Sequence, residues 1–400
     1  FIDGFMKDEV MSKLMDTFFK ITEDQMPDTA TEFSRSFVSY VEIDTFSEYD
    51  KVIKNLLSGA ACLFVEGYDA CIIIDSRTYP ARNVGEPEQD KSLRGSRDGF
   101  VETIVFNTAL IRRRIRDPHL TMKMMEIGKS SRTDVVLCYM SDRVNTDLLA
   151  LLTRKIEEMQ DEDLKMNQQS LAELLFKRKW YNPFPKFKYT ERPATACLLE
   201  GKIVLMVDTS PSAMILPTSI FDMIEEANDY YFPTLTGIYL KLSRSLITIM
   251  TIFLTPLFLL FMQNPKWIPD IFEFVLVRDT VNIPLYFQLL LLELAIDGLR
   301  LAALNTPSML STPLSVIAGI VMGEFSVKSG WFNSEVMLYM AFVAVANYTQ
   351  PNFELGYALK FMRLLLLTLT ALFDWVGFAA GCIITVCSIC FNRTVSGESY

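Results

Sequence analysis

Three ionisable residues inside one apolar run are the groups with the most chemistry to offer in this chain. Glu293, Asp297 and Arg300 follow the segment QLLLL at spacing i, i+4, i+7, so they share one face of any helix that forms there. A charge at the centre of a bilayer costs about 2.5 to 3.5 kcal/mol on insertion scales, so such groups turn toward a partner or a wet cavity. With Glu324 they are the candidate lining of an ion path, the acids attracting cations and Arg300 acting as the intramembrane counter-charge. Structural pairing between helices is the alternative for each of the four.

Other chemistry is scarce. His119 is the single histidine and follows Pro118 in a connector, which leaves no base for a Ser-His-Asp or Cys-His arrangement and no histidine-rich metal site. The G-x-S-x-G, H-E-x-x-H, P-loop and dinucleotide patterns are missing. No catalytic residue, metal site or cofactor is therefore expected, and the chain is not expected to be an enzyme. Cys387 and Cys390 form a C-x-x-C, but inside an apolar run with no second pair, which fits helix packing. Cys62, Cys71, Cys138 and Cys197 sit in apolar contexts and read as core thiols of a reducing compartment. The net charge of −10 argues against a nucleic-acid partner, whose footprint is a basic stripe.

The elements that must position the charged face lie in lipid. From Ser245 onward there are 7 Lys+Arg and 10 Asp+Glu in 156 residues, against 31 and 38 in the 244 residues before. Leu246 to Met262 runs for seventeen residues without an ionisable group, enough to cross most of a ~30 Å hydrocarbon core. Further apolar runs cover Ile283 to Leu304, Leu314 to Met322, Val336 to Tyr348, Leu364 to Phe373 and Trp375 to Phe391. Pro256, Pro284, Pro307, Pro313, Gly319, Gly323, Pro351, Gly377 and Gly381 interrupt them. Broken helices are tolerated at membrane depth where protein or water satisfies the freed backbone, which favours a bundle around a polar path. Lys241 and Arg244 flank the first span and put the hydrophilic part in the cytoplasm by the positive-inside rule. No secretory signal peptide is expected at Phe1.

In the hydrophilic part, residues 1 to 25 read as a short amphipathic helix, and Thr29 to Asp50 as irregular or partly helical. Ala61 to Ser76 reads as a hairpin. The loop Arg94-Gly95-Ser96-Arg97-Asp98-Gly99 leads into a helix expected from Asp98 to Arg116, capped by Ser96 or Asp98. That loop could hold an anion at the helix N-terminus, or its arginines could pair with Glu86, Glu88 or Asp90. Arg112, Arg113 and Arg114 crowd the helix end. With Arg94, Arg97 and Asp98 they are candidates for contact with a neighbouring subunit, a partner or anionic lipid. A strand over Asp134 to Met140, helices over Asn145 to Met159 and Thr190 to Glu200, and a second hairpin from Lys202 to Leu216 follow. A helix from Ser219 to Asn228 and the aromatics Tyr230, Tyr231 and Phe232 lead to the membrane.

Several stretches resemble a known family. EPEQDKSLRGSRDGFVETIVFNTALIRRRIRDP (Glu86 to Pro118), TERPATACLLEGKIVLMVDTSPSAMILPTSIFD (Thr190 to Asp222), NDYYFPT (Asn228 to Thr234), NIPLYFQLLLLELAIDGLRLA (Asn282 to Ala302) and TPSMLSTPLSVIAGIVMGEFSVKSGWF (Thr306 to Phe332) resemble the A-subunit family of bacterial spore germinant receptors. RGSRDGFVET, GEFSVKSGWF and ALKFMRLLLL are similar to its stage V sporulation protein AF branch. The resemblance implies a cytosolic two-part region, a domain in the spore inner membrane, homo-oligomers forming a channel that releases monovalent cations, and other germination membrane proteins and membrane lipid as partners.

The expected fold class is α+β: a cytosolic N-terminal region of two small α/β subdomains followed by an all-α polytopic membrane domain with broken helices. The expected divisions are an amphipathic segment at 1–30, subdomains at 31–132 and 133–242, the transmembrane domain at 243–393 and a tail at 394–400. A secondary transporter, or a non-conducting sensor or scaffold binding a ligand or partner in its soluble part, are the alternatives to the channel.

Overall fold

A computed structural model describes every residue except 3–4, 41, 79–80, 89, 160–162, 177–181, 227, 278–280, 282, 307–315, 317–318 and 393–400. The chain divides into two compact units, Phe1–Asn83 and Val84–Tyr400.

In the first unit, β1 (Ile43–Phe46), β3 (Cys71–Ile74) and β2 (Ala61–Leu63) form an antiparallel sheet in that order. The hairpin expected over Ala61 to Ser76 is present, with Cys62 opposite Ile73. β1 comes from the stretch expected to be irregular. All four residues of the central strand β3 are buried, because helices cover both faces. Leu14 of α1 (Asp8–Phe18) and Phe33 of α2 (Ala30–Phe37) pack with Ile72 and Ile74. Val52 of α3 (Tyr49–Leu57) packs with Cys71 and Ile73.

The second unit opens with a five-stranded antiparallel sheet in the order β4 (Leu120–Ile127), β5 (Thr133–Met140), β7 (Ile203–Val207), β8 (Ala213–Leu216), β6 (Lys188–Thr190). β7 and β8 are buried throughout, so their continuous apolar runs need cover on both faces. α5 (Thr146–Glu157) and α6 (Asn167–Leu175) give Leu148, Leu152, Ile156 and Leu171 to one face. α4 (Ile104–Arg114) and α7 (Thr195–Leu199) give Ile104, Ile111 and Leu198 to the other.

Three expectations are corrected here. The boundary at 132 falls in the turn joining β4 to β5, whose residues pair from Leu120↔Met140 to Ile127↔Thr133. The helix expected from Asp98 begins only at Ile104, because Gly99 N donates to Gly85 O (2.8 Å) and Phe100 N to Glu191 O (2.7 Å). These cross-chain bonds draw residues 99–100 out of the helix, and Asp208 Oδ1 then accepts from Ile104 N at 3.0 Å. The helix expected over Thr190 to Glu200 shortens to α7, since Thr190 completes β6 against Ala213.

The remainder is helical. α8 (Ile220–Ile224), with Ser219 and Asp222 in a reciprocal capping box, and α9 (Asn228–Tyr231) precede α10 (Thr234–Gln263). Burial alone would raise the Asp222 carboxyl, but the Lys202 ammonium and the Ser219 bonds outweigh it and hold the group below its ordinary range. α11 (Leu285–Asn305), α12 (Ser334–Tyr348) and α13 (Phe353–Cys390) follow. Among the described residues, α10 and α13 are long and apolar enough to cross a membrane, and α12 is a shorter apolar helix. The apolar run at Leu314 to Met322 lies largely outside the described residues. A π-helical turn occupies Gly319–Phe325.

α13 is a hairpin, not a rod. Asp374 sits at φ 54°, ψ −135°, outside helical space, and separates an arm over 353–373 from one over 375–390. Ile389 accordingly packs back with Leu355 and Leu359. A Cβ on Gly377 would lie 1.9 Å from Leu369 O, and one on Gly381 would lie 2.5 Å from Leu366 Cδ1, so the two arms touch through a G-x-x-x-G surface. Gly377→Ala should therefore destabilise by about 1 to 3 kcal/mol, against the usual gain of a helical Gly→Ala change. Gly298→Ala, with nothing within 4 Å of the new methyl, is the control. Thermal unfolding of the detergent-solubilised chain compares the two, and equal melting temperatures would contradict a packed hairpin.

Candidate functional site

α11 carries Glu293 and Asp297 one turn apart, and the first arm of α13 carries Lys360 and Arg363 at i, i+3, so each helix presents a charged pair on one face. The pairs meet. Lys360 Nζ donates to Asp297 Oδ2 and lies 3.4 Å from Glu293 Oε1. Arg363 donates through Nη2 to Glu293 Oε1 at 2.6 Å and through Nη1 to Thr251 O of α10 at 3.0 Å. Three helices are thus tied at one level, near where Pro256 lacks the N–H that would serve Ile252 O.

Glu293, Lys360 and Arg363 are 7 %, 4 % and 2 % exposed, so water does little to screen them. Removing an ion from water costs several kcal/mol even after relaxation, which only close, hydrogen-bonded opposite charges offset. Two acids against two bases bring the four to neutrality. Arg300 adds a fifth charge, but no ion pair within 4 Å joins it to an acid among the described residues. Its guanidinium lies over the rings of Tyr357 (4.8 Å), Phe353 (5.2 Å) and Tyr348 (5.5 Å). Aromatic faces stabilise a nearby cation by about 0.5 to 2 kcal/mol, more as it loses water. The counter-charge position expected for Arg300 is filled by Lys360 and Arg363.

A small cavity, with room for roughly one water molecule, is lined by Glu293, Asp297, Arg300, Asn347 and Arg363. The Asn347 Oδ1 atom is buried and has no hydrogen-bond partner among the described residues. Glu324, the fourth residue expected on the path, is exposed and paired with Lys328 on its own helical turn. Lys360 and Arg363 were missed as site residues, although two bases three apart inside ALKFMRLLLL are the same kind of signal as Glu293 and Asp297.

Polar bonds hold both ends of the bundle. At one end Gln288 Nε2 donates to Asn333 Oδ1 (2.8 Å), Asn333 N donates to Gln288 Oε1 (2.9 Å), and Asn264 Nδ2 donates to Asp374 Oδ1 (2.6 Å). At the other, Arg244 reaches Glu226 (2.7 Å), Asp229 (3.2 Å) and Thr349 O (3.2 Å). Asn392 Nδ2 donates there to Pro185 O at 3.2 Å. The loop arginines lead toward this end. Arg94 stacks over Phe232 at 5.3 Å, just before α10. Asp98 pairs with Arg114, and Arg112 donates to Asp117 O (3.0 Å) and Leu120 O (2.7 Å). These three therefore use polar atoms within the chain, while Arg97 and Arg113 are exposed.

The whole chain, residues 1–400, matches the family described as Bacillus/Clostridium GerA spore germination protein. The chain belongs to this family. It is 37% identical over 357 residues to stage V sporulation protein AF of Bacillus subtilis (strain 168), covering 89% of this chain and 72% of that protein. To spore germination protein A1 of the same organism it is 27% identical over 318 residues, covering 78% and 66%. A crystal structure of the N-terminal domain of the A subunit of the Bacillus megaterium spore germinant receptor GerK3 shares 31% identity. That alignment covers 29% of this chain and 93% of that one, with a TM-score of 0.24.

The charge network sets a stability test. Arg363→Met leaves Glu293 buried without its guanidinium and should cost about 3 to 5 kcal/mol. Adding Glu293→Met should restore part of that loss, as read by denaturant titration of the solubilised chain. Simple additivity of the two losses would show that they do not act as one unit.

Proposed function

We propose that this chain is a membrane subunit of a spore germination complex and that several copies form a channel releasing monovalent cations. The helical part is a multi-pass domain in the spore inner membrane, with the sheet-bearing region on the cytoplasmic side. One observation carries the reading: five charged side chains from two helices gather inside an apolar bundle, and four of them, Glu293, Asp297, Arg300 and Arg363, line one cavity. Ionised groups at that depth are costly wherever they serve only as structure, and they are characteristic of ion routes.

In the arrangement described above, Lys360 and Arg363 neutralise both acids, and Arg300 leaves the cluster with one positive charge in excess. A cation approaching this level meets no net attraction. The arrangement is that of a closed path. Opening frees Glu293 and Asp297 from their partners, after which the two carboxylates offer a passing cation the oxygen ligands that replace its water.

A secondary transporter is the second reading, favoured by the reversal at Asp374 and the π-helical turn at Gly319–Phe325. Cation release from germinating spores, or from liposomes containing the purified chain, tests the first. Glu293→Gln and Asp297→Asn should slow release at normal protein levels, and Lys360→Met should raise the resting leak by exposing Asp297. Unaltered fluxes in all three would remove the cluster from conduction, and saturable exchange that needs a counter-ion would favour the transporter.

A further inference from the structure

α10 has 30 residues, which is about 45 Å of helix against a hydrocarbon core of about 30 Å. The surplus lies at one end. Asn264, just past its C-terminus, is tied to Asp374 at the apex of the α13 hairpin. The first arm of that hairpin runs over 353–373, about 32 Å, which matches the core by itself. At the opposite end Arg244 bonds to Thr349 O, just before the arm begins. The residues of α10 that precede Arg244 therefore project beyond the lipid tails, at the level of the charged groups Glu225, Glu226, Asp229 and Lys241.

This projecting segment carries an uncovered apolar stripe. Leu235, Tyr239 and Leu242 are 82 %, 68 % and 66 % exposed, and Leu246 and Ile249 continue the line at 59 % and 54 %. The intervals of four, three, four and three residues are those of a coiled-coil seam. The opposite side of the helix faces its own chain: a Cβ on Gly237 would lie 2.6 Å from Asp229 O, and Arg244 is held by Glu226 and Asp229. Thr236, Ser243 and Ser245 flank the stripe, so copies meeting there bring no like charges together.

We propose that the stripe is a self-association seam, occupied by α10 of a second copy of this chain in parallel. The inference rests on the oligomeric reading above and names the surface that serves it. Two copies inserted in one membrane share an orientation, which makes the contact parallel. Leu235, Tyr239 and Leu242 supply a hydrophobic drive that lipid-embedded helices lack, because these side chains leave water on association.

Oxidative crosslinking of the full chain in its membrane tests the seam. Leu235→Cys and Leu242→Cys should each give a chain-to-chain disulfide absent from Lys241→Cys and from the unsubstituted chain with its seven cysteines. Tyr239→Asp combined with Leu242→Asp should release monomers of unchanged thermal stability. If the chain runs as an oligomer while the seam cysteines crosslink no more than Lys241→Cys, the seam is overturned and the oligomer stands. A monomer in every preparation overturns both. Crosslinking of Leu242→Cys to a different protein, or labelling that tracks lipid content alone, also overturns self-association.

Discussion

The neutralisation of Glu293 and Asp297 by Lys360 and Arg363 is the constraint on which the helical half depends. Three buried charges and the half-buried Asp297 are stable only as a set, because each removed partner leaves another ion uncompensated in a medium of low polarisability. The set fixes the rotation of α11 and of the first α13 arm about their own axes and sets their relative height. Through Thr251 O it also draws in α10. Apolar side chains pack tolerantly along a helix and could accept a slipped neighbour, whereas an ion pair one turn out of register could not form.

The hairpin at Asp374 makes that registration possible. It brings the second arm down beside the first through Gly377 and Gly381 and places a polar clasp with Asn264 at the apex. The other end is held by Arg244, whose partners Asp229 and Glu226 belong to the segment joining the sheet to the bundle. Arg94 over Phe232 and Asn228 bonded to Leu93 N and Lys91 O extend this joint to the loop that precedes α4. Within this unit, an unbroken series of contacts runs from the five-stranded sheet region to the bundle.

Arg300 shows how one residue type can be satisfied in two ways. Lys360 and Arg363 find carboxylates, while Arg300 finds three aromatic faces. The rings come from the end of α12 and the start of α13, so Arg300 marks where those helices turn. It still lines the cavity beside both acids and, counted with Lys360 and Arg363, leaves the five-residue cluster with a positive excess.

The chain's residues alone determined the family and marked the stretches long and apolar enough to cross a membrane. Apolar runs broken at Asp374, acidic balance before and after, a lone His119 and the motif stretches all follow from local composition, and β7, β8 and the Ala61 to Ser76 hairpin were legible because strand pattern is local too. The start of α4 and the β4–β5 pairing were not, because Gly85, Glu191 and Asp208 act on distant positions. Nor was the identity of the counter-charges. Spacing along α11 shows which residues share a face, but neutralisation falls off over a few ångströms and depends on which other helix arrives there. Only the packing of α13 against α11 decided that Lys360 and Arg363, and not Arg300, meet the acids.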